Sequence, residues 1–279
     1  MLSSLYGFLS ALAWGAGDFA GGMASRRAGI YRAAFYGEST GIIFLVVMLV
    51  VVREPVPGWK VWAWSATAGA IGSLGLLMLF RALAQGQMSV AAPVSALMAA
   101  VLPVIASAFT EGLPGLTKYL GFGLALLAIW LVSQEDGHQK ELHLHLADLR
   151  LPLLAGICFG AYFIMMHQGS RTATIWPMMA GRVAGALVLF FFALANRQLH
   201  WPDRHAAPVV LLNATGDILG NTFYILSGQI GRLDVAAVLG SLYPGTTVLL
   251  AGMLLHERLN RSQWLGILAA LAAIVLMAI

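Results

Sequence analysis

Long apolar runs separated by short polar breaks make up the chain. Ten runs stand out, at 3–24, 32–52, 61–84, 89–109, 116–133, 151–169, 174–195, 206–228, 234–255 and 262–279. Charges gather in the breaks: Arg26-Arg27, Arg53-Glu54-Pro55, Glu111, Arg197 to Arg204, Arg232 to Asp234, and Glu257 to Arg261. Each run approaches the about 20 residues that a helix needs to cross bilayer hydrocarbon. None alternates with a period of two, and backbone in lipid must satisfy its own hydrogen bonds. The pattern therefore predicts helices and not barrel strands. The predicted fold class is an all-α integral membrane protein with ten transmembrane helices.

Composition narrows the function. Of the 279 residues 59% are hydrophobic and 10% charged, against about 25% charged in soluble domains. Mean hydropathy is +0.82. A soluble enzyme, a disordered chain and a secreted disulfide scaffold are excluded, and the lone Cys158 has no partner. The net charge of +4 is scattered in ones and twos, without the basic stripe of a nucleic-acid binder. Met1-Leu2-Ser3-Ser4 precedes the first run without a basic residue, and no cleavage site follows. We read this run as a retained first span. Trp59, Trp62, Trp64, Trp130, Trp176, Trp201 and Trp264 lie near span ends, where an interfacial belt is expected. Trp14 falls mid-span.

The longest break, 134–150, divides the chain into 1–133 and 151–279, five spans each. Its His138, His143 and His145 suggest a divalent ion. No cysteine or tight cluster completes four ligands, so a solvated loop is expected, with no metal and no cofactor. The halves resemble each other at an offset of 145: Gly75 meets Gly220, Gly86 meets Gly231, Leu120-Gly121 meets Leu265-Gly266, and Ala128-Ile129 meets Ala273-Ile274. At an offset of 144, Gly37 meets Gly181 and Gly41 meets Gly185. Five spans is an odd number, so a second copy enters the membrane upside down. The expectation is two inverted five-helix repeats, a common transporter device.

Short motifs agree. Gly7 with Ala13-Trp14-Gly15, Leu239-Gly240-Ser241-Leu242-Tyr243-Pro244, His256-Glu257-Arg258-Leu259 and Gln263-Trp264-Leu265-Gly266 resemble the EamA-type transporters of the drug/metabolite transporter superfamily. The resemblance covers essentially the whole chain. It implies a secondary transporter of small metabolites, often an exporter of amino acids or related compounds, with a central cavity between the halves. It also implies both termini inside the cell. The first half departs from the pattern: Glu111-Gly112-Leu113 matches the Glu257 turn one place out of register, and Glu38 stands where many relatives have arginine. Counting basic residues points the other way on orientation. Five (Arg53, Lys60, Lys118, Arg171, Arg232) lie on the side of the termini and nine on the opposite side, which puts the termini outside.

Ionisable residues inside spans are costly and usually face a bundle interior. Asp18, Glu38, Arg182 and Asp217 are the four here. Glu38 and Arg182 occupy equivalent positions of the two halves, as an internal pair or as two faces of one cavity. Asn213, Asp217, Asn221 and Tyr224 share one helical face that lines a cavity or bonds to other helices. The equivalent positions of the third span, Ala68, Gly72, Leu76 and Leu79, carry no such stripe. Asp18 has Trp14 one turn before it, an acid and a ring face that suit an ammonium, or it pairs with a neighbour. Tyr162 and His167 are weaker candidates. Pro93, Pro103, Pro177 and Pro244 can break the fourth, seventh and ninth spans. Pro244, beside Ser241, Tyr243 and Thr246, is the one expected to border a cavity. Arg81 is expected to snorkel.

Three acids and one base leave an excess of negative charge. Burial disfavours a charged carboxyl, which is the physical basis for expecting proton coupling; a cationic or zwitterionic substrate answers the same need. No Gly-x-x-x-x-Gly-Lys-Ser/Thr run supplies an ATP site. The expected function is secondary active transport of a small polar or amphipathic metabolite across the bacterial inner membrane by alternating access. A facilitative exchanger or channel-like protein, and an intramembrane enzyme, are the alternatives. The expected partners are the metabolite, protons and the lipid bilayer.

Overall fold

The computed structural model describes residues 1–84, 88–134, 149–197, 207–254 and 259–278. His138, His143, His145, Trp201 and the His256-Glu257-Arg258 turn lie outside the described residues. Eleven helices and no strand occur among those described. They are α1 (Leu2–Ala28), α2 (Ile30–Val52), α3 (Trp59–Ala84), α4 (Met88–Thr110), α5 (Leu116–Val132), α6 (Arg150–Gly169), α7 (Ile175–Ala195), α8 (Ala207–Ile230), α9 (Leu233–Gly240), α10 (Tyr243–Leu254) and α11 (Arg261–Ala278).

Seven apolar segments of 18 residues or more are long enough to cross a membrane, and Val94–Thr110 and Leu116–Val132 are shorter apolar helices. The seven do not include α1, the least apolar helix. The surface is that of a membrane protein: Val47, Val50, Val51, Phe109, Phe191 and Val275 are exposed, while Ser10, Ser65, Ser95, Ser107, Ser227 and Ser241 are wholly buried. Trp59, Trp64, Trp130 and Trp264 are exposed near helix ends, as an interfacial belt requires, and Arg81 is exposed as expected.

The ninth span is not one helix. It breaks at Ser241-Leu242 between α9 and α10. Pro244 has no amide hydrogen to give the Gly240 carbonyl, and the chain tightens there, with Leu242 N donating to Leu239 O at 3.1 Å and Gly245 N to Leu242 O at 3.0 Å. The other prolines do not interrupt their helices. α4 runs unbroken past Pro93 and Pro103, and Pro177 sits in the first turn of α7, where its missing N–H has no helical acceptor to lose.

Two crossings rest on glycines without side chains between the helices. A Cβ on Gly216 of α8 would lie 2.7 Å from Gly17 Cα of α1, and a Cβ on Gly69 of α3 would overlap the Gly181 carbonyl of α7. These contacts pair α1 with α8 and bring α3 against α7; α3 also packs on α6, α2 on α7, and α5 on α11. In the last pair Gly121 abuts the Ala273 carbonyl and Gly266 abuts the Ala128 carbonyl.

Both termini lie at one end of the bundle, here the terminal end. Ser4 Oγ donates to Met277 O at 3.2 Å, and Ser3 Oγ to Ser227 O at the foot of α8 at 3.0 Å. The Glu54 carboxylate accepts from the backbone N–H groups of Thr174, Ile175 and Trp176 at 2.7–2.9 Å. It thereby satisfies the orphan donors at the start of α7. Glu111 does the same for α9, accepting from Leu233 N at 3.1 Å. At the far end, Asn260 Nδ2 donates to Gln134 O at 2.6 Å and ties the halves there.

Candidate functional site

Three elements bring charge to the middle of the bundle. Glu38 is eight residues into α2, Arg182 seven into α7 and Asp217 ten into α8. At about 1.5 Å rise per residue they enter at depths of about 10–15 Å from their helix starts. Arg182 Nη1 donates to Glu38 Oε2 at 2.8 Å, and Arg182 Nη2 pairs with Asp217 Oδ2. The guanidinium has room because Gly41 lies beside it: a Cβ there would stand 3.2 Å from Nε. Exposure rises across the cluster, from 9% for the Arg182 side chain to 21% for Glu38 and 35% for Asp217. The cation is enclosed and the acids face open space.

Tyr162 of α6 extends this network. Its hydroxyl donates to Asn221 Oδ1, and Asn221 Nδ2 donates to Asp217 O at 2.8 Å. The tyrosine ring fits against bare Gly72, where a Cβ would come within 3.0 Å of it. Gly72 is the position equivalent to Asp217 in the first half, so the unequal stripe serves the network twice. The other members of the α8 stripe tie helices together. Asn213 Nδ2 donates to Gly17 O at 2.9 Å, and the buried Tyr224 donates its hydroxyl to Phe163 O at 2.7 Å.

Trp14 does not flank an open site. Its ring is buried against Phe163 and Tyr224, with centroids 5.6 and 5.8 Å away, and is wedged against Gly220 and Gly240. Asp18, one turn on, has no hydrogen bond or ion pair among the described residues. It is exposed to open space. Tyr243, at the start of α10, is partly buried and within electrostatic reach of Asp18.

Two stretches of the chain, 1–134 and 149–279, match the EamA-like transporter family. The chain belongs to the EamA-like transporter family. That family lies within the drug/metabolite transporter superfamily, and a multi-pass membrane transporter is the coarse function that follows. A solved structure titled "Crystal structure of protein" is similar in fold, with a TM-score of 0.77 and 17% identity, over 98% of this chain and 95% of that one. No curated protein matches in sequence.

This EamA-like transporter has a second polar cluster at the terminal end. Arg232 donates to Glu111 O, Gly112 O and Ser107 Oγ at 3.1, 2.7 and 3.2 Å and binds Asp234 through both carboxylate oxygens. Those bonds to Asp234 push the Arg232 pKa further up. His167 Nε2 lies 3.5 Å from Glu111 Oε1. Glu111, His167 and Arg232, with Arg171 and Gln229, line a cavity of about 550 Å³. Sequence reading assigned Glu54, Glu111 and Arg232 only to loops. Acids placed directly after the second and fourth spans, and a lone Arg-x-Asp before the ninth, were the available signal.

Proposed function

We propose that the protein is a secondary active transporter that carries an amino acid or related amphipathic metabolite outward through a central chamber by alternating access. The observation that carries this reading is the Glu38–Arg182–Asp217 cluster. It places one enclosed cation of the second half against an acid of the first, with the acids open to space. One guanidinium balances one of its two carboxylates, so a proton or a cationic group of the substrate completes the charge. That supports proton coupling.

The packing supports two inverted five-helix repeats. With the offset of 145, Gly121 against Ala273 is the image of Gly266 against Ala128, and Gly75 against Phe159 is the image of Gly220 against Trp14. Reciprocal contacts of this kind are what a two-fold relationship produces. Polar ties between halves concentrate at the terminal end, which supports a conformation closed there and open at the far end. The bacterial cytoplasmic membrane is the proposed location.

Flux in vesicles reconstituted with the purified protein tests the proposal. Glu38→Gln and Asp217→Asn should each lower saturable exchange at least tenfold while the protein still inserts and folds. Full flux in both variants overturns the site, and flux that neither saturates nor exchanges overturns the transporter reading in favour of a channel.

A further inference from the structure

We propose that Asp18 and the α9–α10 break form a subsite for an ammonium group of the substrate. This rests on the transporter reading but uses residues outside the Arg182 cluster. The direction of Asp18 follows from its neighbours on α1. Gly15 faces α10, where a Cβ would meet Tyr243 O at 2.6 Å, and Gly17 and Gly21 face Asn213 and Gly216 of α8. At about 100° per residue, Asp18 points between those two directions, on the side where Trp14 meets Gly220 and Gly240. Its carboxylate is therefore aimed into the wedge between α8 and α10.

Acceptor groups gather at the α9–α10 break beside it. α9 ends at Gly240, so the negative end of an interrupted helix points into the wedge. The Gly240 carbonyl receives nothing from Pro244, and no described group donates to it. Ser241 Oγ, wholly buried at the break, also has no partner among the described residues. Tyr243 opens α10 at this break, its carbonyl against Gly15 one turn before Asp18. No described cation reaches Asp18, since Arg182 is held by Glu38 and Asp217. An acid, a freed carbonyl, a helix C-terminus and an aromatic ring form a receptor for a positive group. The charge must arrive with a ligand.

The purified protein in lipid nanodiscs tests this by thermal unfolding. The probes are alkylamines, arylalkylamines and amino-acid methyl esters, each beside its N-acetyl derivative, and sodium chloride beside potassium chloride. Amines should stabilise saturably and their N-acetyl forms should not. Asp18→Asn should weaken amine binding at least tenfold, whereas Asp18→Glu should retain it. Equal binding of N-acetyl forms, undiminished amine binding by Asp18→Asn, or stabilisation by sodium alone would overturn the subsite. Should Asp18→Asn fail to fold, Tyr243→Leu gives a second readout: loss of the ring should weaken amine binding, and undiminished amine binding by that variant overturns the proposal. Loss of flux with intact amine selectivity, or the reverse, separates this inference from the transport reading.

Discussion

Arg182 donates to Glu38 at 2.8 Å although 144 residues separate them. The pair joins the second helix of one half to the second helix of the other, and the same guanidinium holds Asp217. Removing one partner of a buried ion pair costs on the order of 3–5 kcal/mol, because the charge left behind has no answer. Arg182→Gln should therefore lower the melting temperature more than either acid variant does. Adding Glu38→Gln to Arg182→Gln should restore part of the loss. Strictly additive destabilisation would show that the two residues do not answer each other.

Pro244 bears on mechanism more than on stability. Pro244→Ala returns an amide donor to the Gly240 carbonyl. The variant should melt at the same temperature or higher, yet lose most flux, because α9 and α10 fuse into one rod. Unchanged transport would mean that the break has no functional part.

Glu54 and Glu111 each accept from the first amides of a helix in the other half. Replacing such a cap costs about 0.5–2 kcal/mol. Glu54→Ala should speed hydrogen exchange at residues 174–176, and Glu111→Ala should do so at residue 233. Both should raise labelling of introduced cysteines from the terminal end. Unaltered exchange at those amides would rule out the capping role.

Gly69→Ala drives a methyl group into the Gly181 carbonyl, a backbone atom that cannot swing away. Overpacking of this kind costs about 1–3 kcal/mol. Gly123→Ala, where a Cβ meets nothing within 4 Å, should instead be neutral or gain the up to about 1 kcal/mol by which alanine favours helix. Thermal unfolding of the two variants side by side decides it; equal behaviour would remove the close crossing of α3 and α7.

Helices were legible from sequence because lipid removes the alternatives: an apolar run near 20 residues has one way to satisfy its backbone. The observed ends therefore fall within a few residues of those expected, and the α8 stripe faces protein as its spacing requires. The roles within that stripe were not legible. Asn213 and Tyr224 bond to backbone carbonyls of α1 and α6, and only Asp217 reaches Arg182. Spacing along one helix says which residues share a face, not what stands opposite.

Hydropathy, the spacing of polar side chains and the offset between halves are properties of the chain in order, and they determined where the apolar helices lie, which residues of α8 share a face, and that positions 38 and 182 are equivalent in the two halves. Tertiary structure alone decided that Trp14 is enclosed while Asp18 is unanswered, that Glu54 and Glu111 cap helices of the opposite half, and that the ninth span parts at Ser241. The first two depend on partners more than 100 residues away. The last depends on which proline finds its acceptor deprived and which sits in a first turn that has none to lose.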